Sequence, residues 1–342
     1  MVIGILFLGF LFGALLVFAG LNRFDVISGN AVLKDLTVAK TILMVIGLGA
    51  LLLNVEIAFG LASYHVKPFL LGGVVLGGLI FGTGMAILGY CPGTLAVSLG
   101  EGSVDALAGI FGGLAGGWVF TVVKPSINGV LGPDLGKISL FTFTGHRPVV
   151  FFILLLLFAA VVIFAAFVLH RYEKRKGRPG LNNRWLLSGI GLAVLNSIIF
   201  LKAVSNRPIG ASTSYPYVAD QVTGFTHNAY FTKISVPGHW ELWFLAGAFL
   251  AGLAFALLRG SFQLTIVHKR WAETKGLSSG KRLVWAFAGG FILLFGARMA
   301  GGCTSGHILS GGMQVAVSSL VFGIFVFAAF IVTGKLFYRK PS

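Results

Sequence analysis

Charge is scarce in this chain. Only 11% of its 342 residues are Asp, Glu, Lys or Arg, against about 25% in a soluble domain, which excludes an ordinary water-soluble protein. Cysteine is scarcer still. The two present, Cys91 and Cys303, lie too far apart for a disulfide framework or a zinc cluster, and no C-x-x-C occurs. Acidic residues number 10 against 26 basic ones, giving a net charge of +16. That charge sits in short segments between apolar runs rather than on a basic soluble face, so nucleic acid is not the expected partner. The first apolar run lacks a basic leading region and an A-x-A-like end, and is read as retained rather than cleaved.

What is abundant is apolar surface, 56% of the residues. A helix needs about 20 apolar residues to cross the hydrocarbon. Nine such spans are expected, near 2–21, 40–61, 69–90, 104–123, 148–170, 185–203, 241–259, 282–302 and 315–335. The fold expected is therefore an all-α polytopic membrane protein, one transmembrane domain over 1–342. Lys and Arg set its orientation. Eighteen of the 26 fall in one alternating set of loops, seven in the other, and Arg298 lies within a span. The bias predicts an inner-membrane protein with its amino terminus outside and its carboxyl terminus in the cytoplasm.

One stretch stands out: Phe295–Gly312, F-G-A-R-M-A-G-G-C-T-S-G-H-I-L-S-G-G, a polar island in an apolar region. It echoes Phe81–Gly102, F-G-T-G-M-A-I-L-G-Y-C-P-G-T-L-A-V-S-L-G-E-G. Both share F-G-x-x-M-A, then a glycine and a cysteine. The charge count makes the two spans run in opposite directions, and a weaker echo, Asn22-Arg23 with Asn206-Arg207, agrees. These matches predict an inverted 4+1+4 repeat: about 1–123, a connecting helix near 148–170, and about 185–335. Inverted repeats place substrate sites at the repeat interface, among broken helices. Glycines four apart (Gly73/Gly77, Gly78/Gly82, Gly109/Gly113, Gly113/Gly117) mark faces for close helix packing. The segment 171–184 reads as a solvated basic linker that can touch anionic lipid, and 204–240 as a long outer segment holding a short re-entrant or surface helix.

Pro92 on one side and Gly301-Gly302 on the other place both thiols where a helix breaks. At membrane depth irregular backbone is tolerated only inside protein or along a cavity, so short re-entrant helices are expected over 93–102 and 304–314. A buried cysteine is usually an inert small residue. Here both cysteines fall in the duplicated breaks, which favours function. Thr94 and Thr304, in the same breaks, belong to the same expected pathway. Arg298 either contacts an anion directly or forms a structural ion pair with Glu56 or Glu241. His307 either satisfies backbone carbonyls at the turn or serves as a ligand. His65 and Lys67 are basic where basic residues are few, so they attract anions at the mouth or simply snorkel. Ser212 and Thr213 are candidates for lining the outer vestibule.

The run Arg298-Met-Ala-Gly-Gly-Cys303-Thr-Ser-Gly-His307, with its Cys91-Pro-Gly-Thr94 echo, resembles the YeeE/YedE family of membrane proteins, which import thiosulfate or related sulfur compounds. The resemblance implies nine spans, inward-dipping short helices, an hourglass-like shape and cysteines along a narrow central path. It also implies a small TusA-like cytoplasmic sulfur carrier as partner. Members commonly carry a third cysteine near the end of the first span. This chain has Gly20-Leu-Asn-Arg-Phe-Asp25 there, with Asn22 as the stand-in.

The chemistry fits a soft anion. A neutral thiol is a weak S–H donor that holds a terminal sulfur without trapping it, and weak successive sites suit permeation. The reading is thiosulfate uptake without cofactor, metal or enzymatic turnover. Two alternatives stay open at this point: transport of another sulfur or selenium compound, and a membrane sulfurtransferase or thiol oxidoreductase with His307 as its base.

Overall fold

The computed structural model describes residues 2–177, 182–224 and 228–339. Part of the expected basic linker, 178–181, lies outside the described residues. The elements in order are α1 (Val2–Ala19), α2 (Phe24–Ala31), α3 (Thr37–Ala58), α4 (Leu71–Leu88), α5 (Pro92–Gly100), α6 (Val104–Leu131), α7 (Leu140–Phe143) and α8 (Pro148–Arg175). There follow α9 (Arg184–Phe200), α10 (Ser214–Thr223), α11 (Ala229–Leu258), α12 (Lys269–Lys275) and α13 (Ser279–Met299). A π-helical turn (Thr304–Leu309) leads into α14 (Ser310–Met313), and α15 (Val317–Phe337) closes the chain. Among the described residues the only extended pairings are four isolated β-bridges.

Among the described residues eight segments are long and apolar enough to cross a membrane, two of them continuing through a break into a short helix. The ninth expected span, α9, is apolar but has 17 residues. Eight of the nine expected spans are therefore present, with small shifts at their ends, and a shorter apolar helix stands at the ninth. The largest difference is in α11, which begins at Ala229 and runs through Pro237 rather than starting near 241. Asn228 caps it, accepting hydrogen bonds from the amides of Tyr230 (3.1 Å) and Phe231 (3.0 Å). α6 likewise continues past Pro125 to Leu131. The short helix expected within 204–240 is α10, whose first residues are buried.

The glycines set the packing. α4 and α13 lie antiparallel: a Cβ at Gly73 would meet Met299 O at 2.7 Å, and one at Gly289 would meet Leu88 N at 2.8 Å. Gly78 faces Phe325, with Cβ contact at 3.1 Å, while Gly117 approaches Pro216 at 3.0 Å. Such close approach gains dispersion where lipid offers no apolar drive between helices. The helix pairs come in matched sets. α13 packs on α6 as α15 packs on α4, and α1 packs on α11 as α9 packs on α3. α10 touches α6 and α11, as α2 touches α15 and α3.

Candidate functional site

Both breaks are built alike. α4 ends at Gly89, whose φ of +79° is left-handed and whose hydrogen faces the Phe24 ring that a side chain would overlap. α13 ends just before Gly301, at φ +75°. After each glycine the chain turns and a cysteine becomes the N-cap of the next short helix: Cys91 for α5 and Cys303 for the π-turn. Pro92 occupies the first position of α5, where a missing N–H costs nothing. The Cys91 amide donates to Thr94 Oγ1 (2.9 Å), and that hydroxyl donates back to the Cys91 carbonyl (3.0 Å). Thr94 thus locks the cap.

The two breaks meet at one small cavity of about 70 Å³. Cys91, Gly93 and Thr94 line it from the first break, and Thr304 and Ser305 from the second. Leu16, Leu21, Val45 and Met85 complete an almost wholly apolar wall. Cys303 lies beside it, buried, with Sγ 3.2 Å from Ser305 Oγ. A hole of this size admits one small molecule and not a large one.

On the other side of Cys303 opens a vestibule of about 910 Å³. Its walls carry His65, Lys67, Lys124, Arg207, Lys233 and Arg298 against a single carboxylate, Glu241. Arg298 donates to Tyr230 Oη (2.7 Å), Ser212 Oγ (3.0 Å) and Thr213 Oγ1 (3.1 Å). It makes no ion pair among the described residues, so the structural pair with Glu56 or Glu241 is corrected. Glu241 instead accepts the Thr213 amide at 2.6 Å and lies 3.7 Å from Arg207, while Glu56 accepts from Ser197. Hydroxyl partners leave the Arg298 guanidinium without a contacting carboxylate beside the vestibule.

His307 satisfies a backbone carbonyl at the turn. Its Nε2 must donate to the Ala300 carbonyl (2.7 Å), which leaves Nδ1 to accept from Ser319 Oγ (2.9 Å). Both nitrogens are committed and neither bonds Cys303. His65 lines the vestibule, with its ring 3.4 Å from Asn206 Oδ1 and its charged form disfavoured by burial. Asn22 is buried at the far end of α5, donating to Glu101 Oε2 (2.6 Å) while its carbonyl accepts from Ser98 Oγ (2.6 Å). The structure brings Cys91, Cys303, Thr94 and Thr304 together, sets Lys67, His65 and Arg298 at the vestibule, and puts Asn22 beyond the cavity.

Sequence reasoning passed over Tyr230, Lys124 and Lys233 as vestibule residues. It also missed Arg207, which stacks on Trp240 with its guanidinium 4.2 Å from the ring. The available signal was the polar, aromatic character of 204–240, set against the apolar spans around it. A second cluster was missed altogether. Asp105 accepts from Arg282 Nη2 (2.6 Å) and Nε (3.0 Å), and His268 Nε2 lies 3.1 Å away. Arg282 also donates to the Leu88 carbonyl (2.6 Å), the last turn before the Cys91 break.

A model of the family described as "Sulphur transport" matches residues 24–332. A protein of Spirochaeta thermophila named thiosulfate transporter TsuA is 26% identical over 328 residues, covering 94% of each chain.

Proposed function

The chain belongs to the sulphur transport family, and from that premise we propose that it carries thiosulfate inward across the inner membrane, between Cys303 and Cys91. It is a transporter of a sulfur compound and not an enzyme. The observation that carries the finer reading is the convergence of both breaks on one cavity of about 70 Å³, reached from a basic vestibule. The similarity to a thiosulfate transporter supports the choice of substrate.

In this reading a dianion collects among Lys67, Arg207 and Arg298, where opposed charges raise its local concentration. It then passes Cys303, enters the small cavity and meets Cys91. The thiols stay protonated, because thiolates would repel it. Each offers its S–H to the terminal sulfur, weakly enough for release. The apolar wall strips water and disfavours sulfate, which has no soft atom to present. Cys303 sits toward the outside and Cys91 toward the cytoplasm, with the amino terminus outside and the carboxyl terminus inside.

The matched helix pairs and the antiparallel α4–α13 contact support the inverted repeat, with α8 as the connecting helix. A wide vestibule narrowing to a small cavity fits the hourglass form. A TusA-like carrier on the cytoplasmic side completes the scheme by removing the imported sulfur.

Uptake of thiosulfate into vesicles, in competition with sulfate and sulfite, tests this. Cys91→Ala and Cys303→Ala are each expected to cut uptake at least about tenfold, the effect of losing about 1.4 kcal/mol of stabilisation in passage. Normal uptake in both variants overturns the thiol pathway. A persulfide trapped on either cysteine during turnover replaces hydrogen bonding with covalent handling.

A further inference from the structure

The small cavity and the vestibule share no lining residue. Between them lies the segment around Cys303, whose side chain is 1% exposed. The path is therefore closed in this structure, and something must move before an anion reaches the thiol.

Lys67 occupies the closure. Its ammonium donates to the Gly301 carbonyl at 2.5 Å. A Cβ at Gly302 would overlap that ammonium, and one at Gly306 would stand 3.1 Å from it. The glycines flanking Cys303 thus form a cradle shaped around one cation, which explains why Gly302 and Gly306 carry no side chain. Glycine permits close approach of a ligand to backbone. Here the group that approaches is part of the chain.

The far side of the molecule shows what a permanent fastening looks like. Arg282 reaches carbonyls at the end of α4, before the other cysteine, much as Lys67 reaches the end of α13. But Arg282 is fully buried and bonded twice to Asp105. Lys67 has no carboxylate within ion-pair distance among the described residues, is half-buried, and faces open vestibule. Its stem is flexible, and its ammonium is a point charge with no fixed direction of bonding. One fastening is pinned; the other can let go.

We propose that Lys67 is a charged stopper: its ammonium seals Cys303 from the vestibule, and an arriving anion draws it out of the glycine cradle and opens the way. The ammonium exchanges one acceptor, the Gly301 carbonyl, for a stronger one, an anion oxygen. A cation gains nothing by this exchange and is repelled, so the gate itself selects by charge. The inference rests on the sulfur-anion pathway proposed above, and deepens it by naming what controls access to its first thiol.

Labelling of Cys303 tests it without transport. Full-length protein in proteoliposomes is exposed, from the vestibule side, to an anionic and to a cationic methanethiosulfonate. The labelled thiol is identified by peptide mass spectrometry. Lys67→Ala is expected to speed cationic labelling of Cys303 at least about tenfold and to narrow, without erasing, the preference for the anionic reagent that the remaining vestibule cations sustain. Gly302→Ala evicts the ammonium while keeping the lysine, and is expected to speed labelling by both reagents. Its new methyl also comes within 3.0 Å of His307, so Lys67→Gln serves as a second check that leaves the cradle intact. Equal labelling rates in the wild type, Lys67→Ala and Lys67→Gln overturn the stopper. Faster labelling alongside absent thiosulfate uptake keeps the stopper and removes the substrate reading. Normal uptake with unchanged labelling does the reverse.

Discussion

At the scale of single residues, the proposed pathway divides its chemistry between thiols that hold the anion and cations that gather it. Lys67 links the two. Withdrawal from bulk water pushes its ammonium down to about 8, with Arg298 and Arg207 acting in the same direction and Cys303 and Glu241 opposing. Because its pKa is depressed, the charged form is complete well below pH 8 and is lost as pH rises through that value. Uptake at low thiosulfate concentration is therefore expected to fall between about pH 7 and pH 9, with a midpoint near 8. Lys67→Arg keeps its charge over that range and should flatten the profile; a curve unchanged in that variant assigns the titration to another group. The site was half legible in the sequence at this scale. Cys91 and Cys303 could be singled out because they are the only cysteines and fall beside Pro92 and Gly301-Gly302. Arg298 could be recognised as a misplaced charge, but its partners come from 212–213 and Tyr230, segments no local pattern connects to it. For His307 the plainer of two readings is what the hydrogen bonds support.

At the scale of elements, the broken helices depend on fastenings remote from the thiols. Arg282 ties the end of α4 to Asp105 at the start of α6, with Tyr90 Oη 2.9 Å from His268 Nε2 in the same cluster. In sequence Arg282 looks like a topology-setting charge at a span end. Only the fold reveals that it is buried. Asp105→Asn leaves that guanidinium without its counter-charge, and breaking such a pair by removing one partner costs about 3–5 kcal/mol. The expected result is a clearly lowered unfolding temperature in detergent, together with altered labelling of Cys91. A variant as stable as the parent, with Cys91 unaffected, dismisses the cluster as a support for the break. Gly89→Ala should act on the same break directly, since it opposes both a left-handed backbone and the Phe24 ring. The breaks themselves were readable because Pro and Gly interrupt helices by local rules. The early start of α11 was not, because Pro237 and the polar residues around it mimic a loop while tertiary packing sustains the helix.

At the scale of the whole molecule, the proposed inverted repeat has two halves that meet along α4 and α13, each contributing one cysteine-bearing break. Such an arrangement moves charge through a vestibule lined with cations and a cavity lined with apolar groups. Apart from Cys91, no residue lining the small cavity carries an ionisable group. On the proposed reading thiosulfate then crosses as a dianion with its charge uncompensated. An inside-negative potential of 100 mV opposes each negative charge by about 2.3 kcal/mol, hence a dianion by roughly twice that. At about 1.4 kcal/mol per factor of ten, the internal-to-external ratio at equilibrium drops on the order of a thousandfold. Uptake in proteoliposomes is accordingly expected to be electrogenic: faster when valinomycin and an inward potassium gradient make the interior positive, slower when the gradient is reversed. Insensitivity to the imposed potential means that two positive charges travel with each anion, and replacing sodium or shifting pH would then identify them. With potential dependence confirmed, net import against a living cell's potential must be drawn forward by removal of the product. A cytoplasmic acceptor enclosed in the vesicles should then raise accumulation without changing the initial rate at zero potential. That separation of rate from extent distinguishes a passive path emptied by a partner from a pump that works alone.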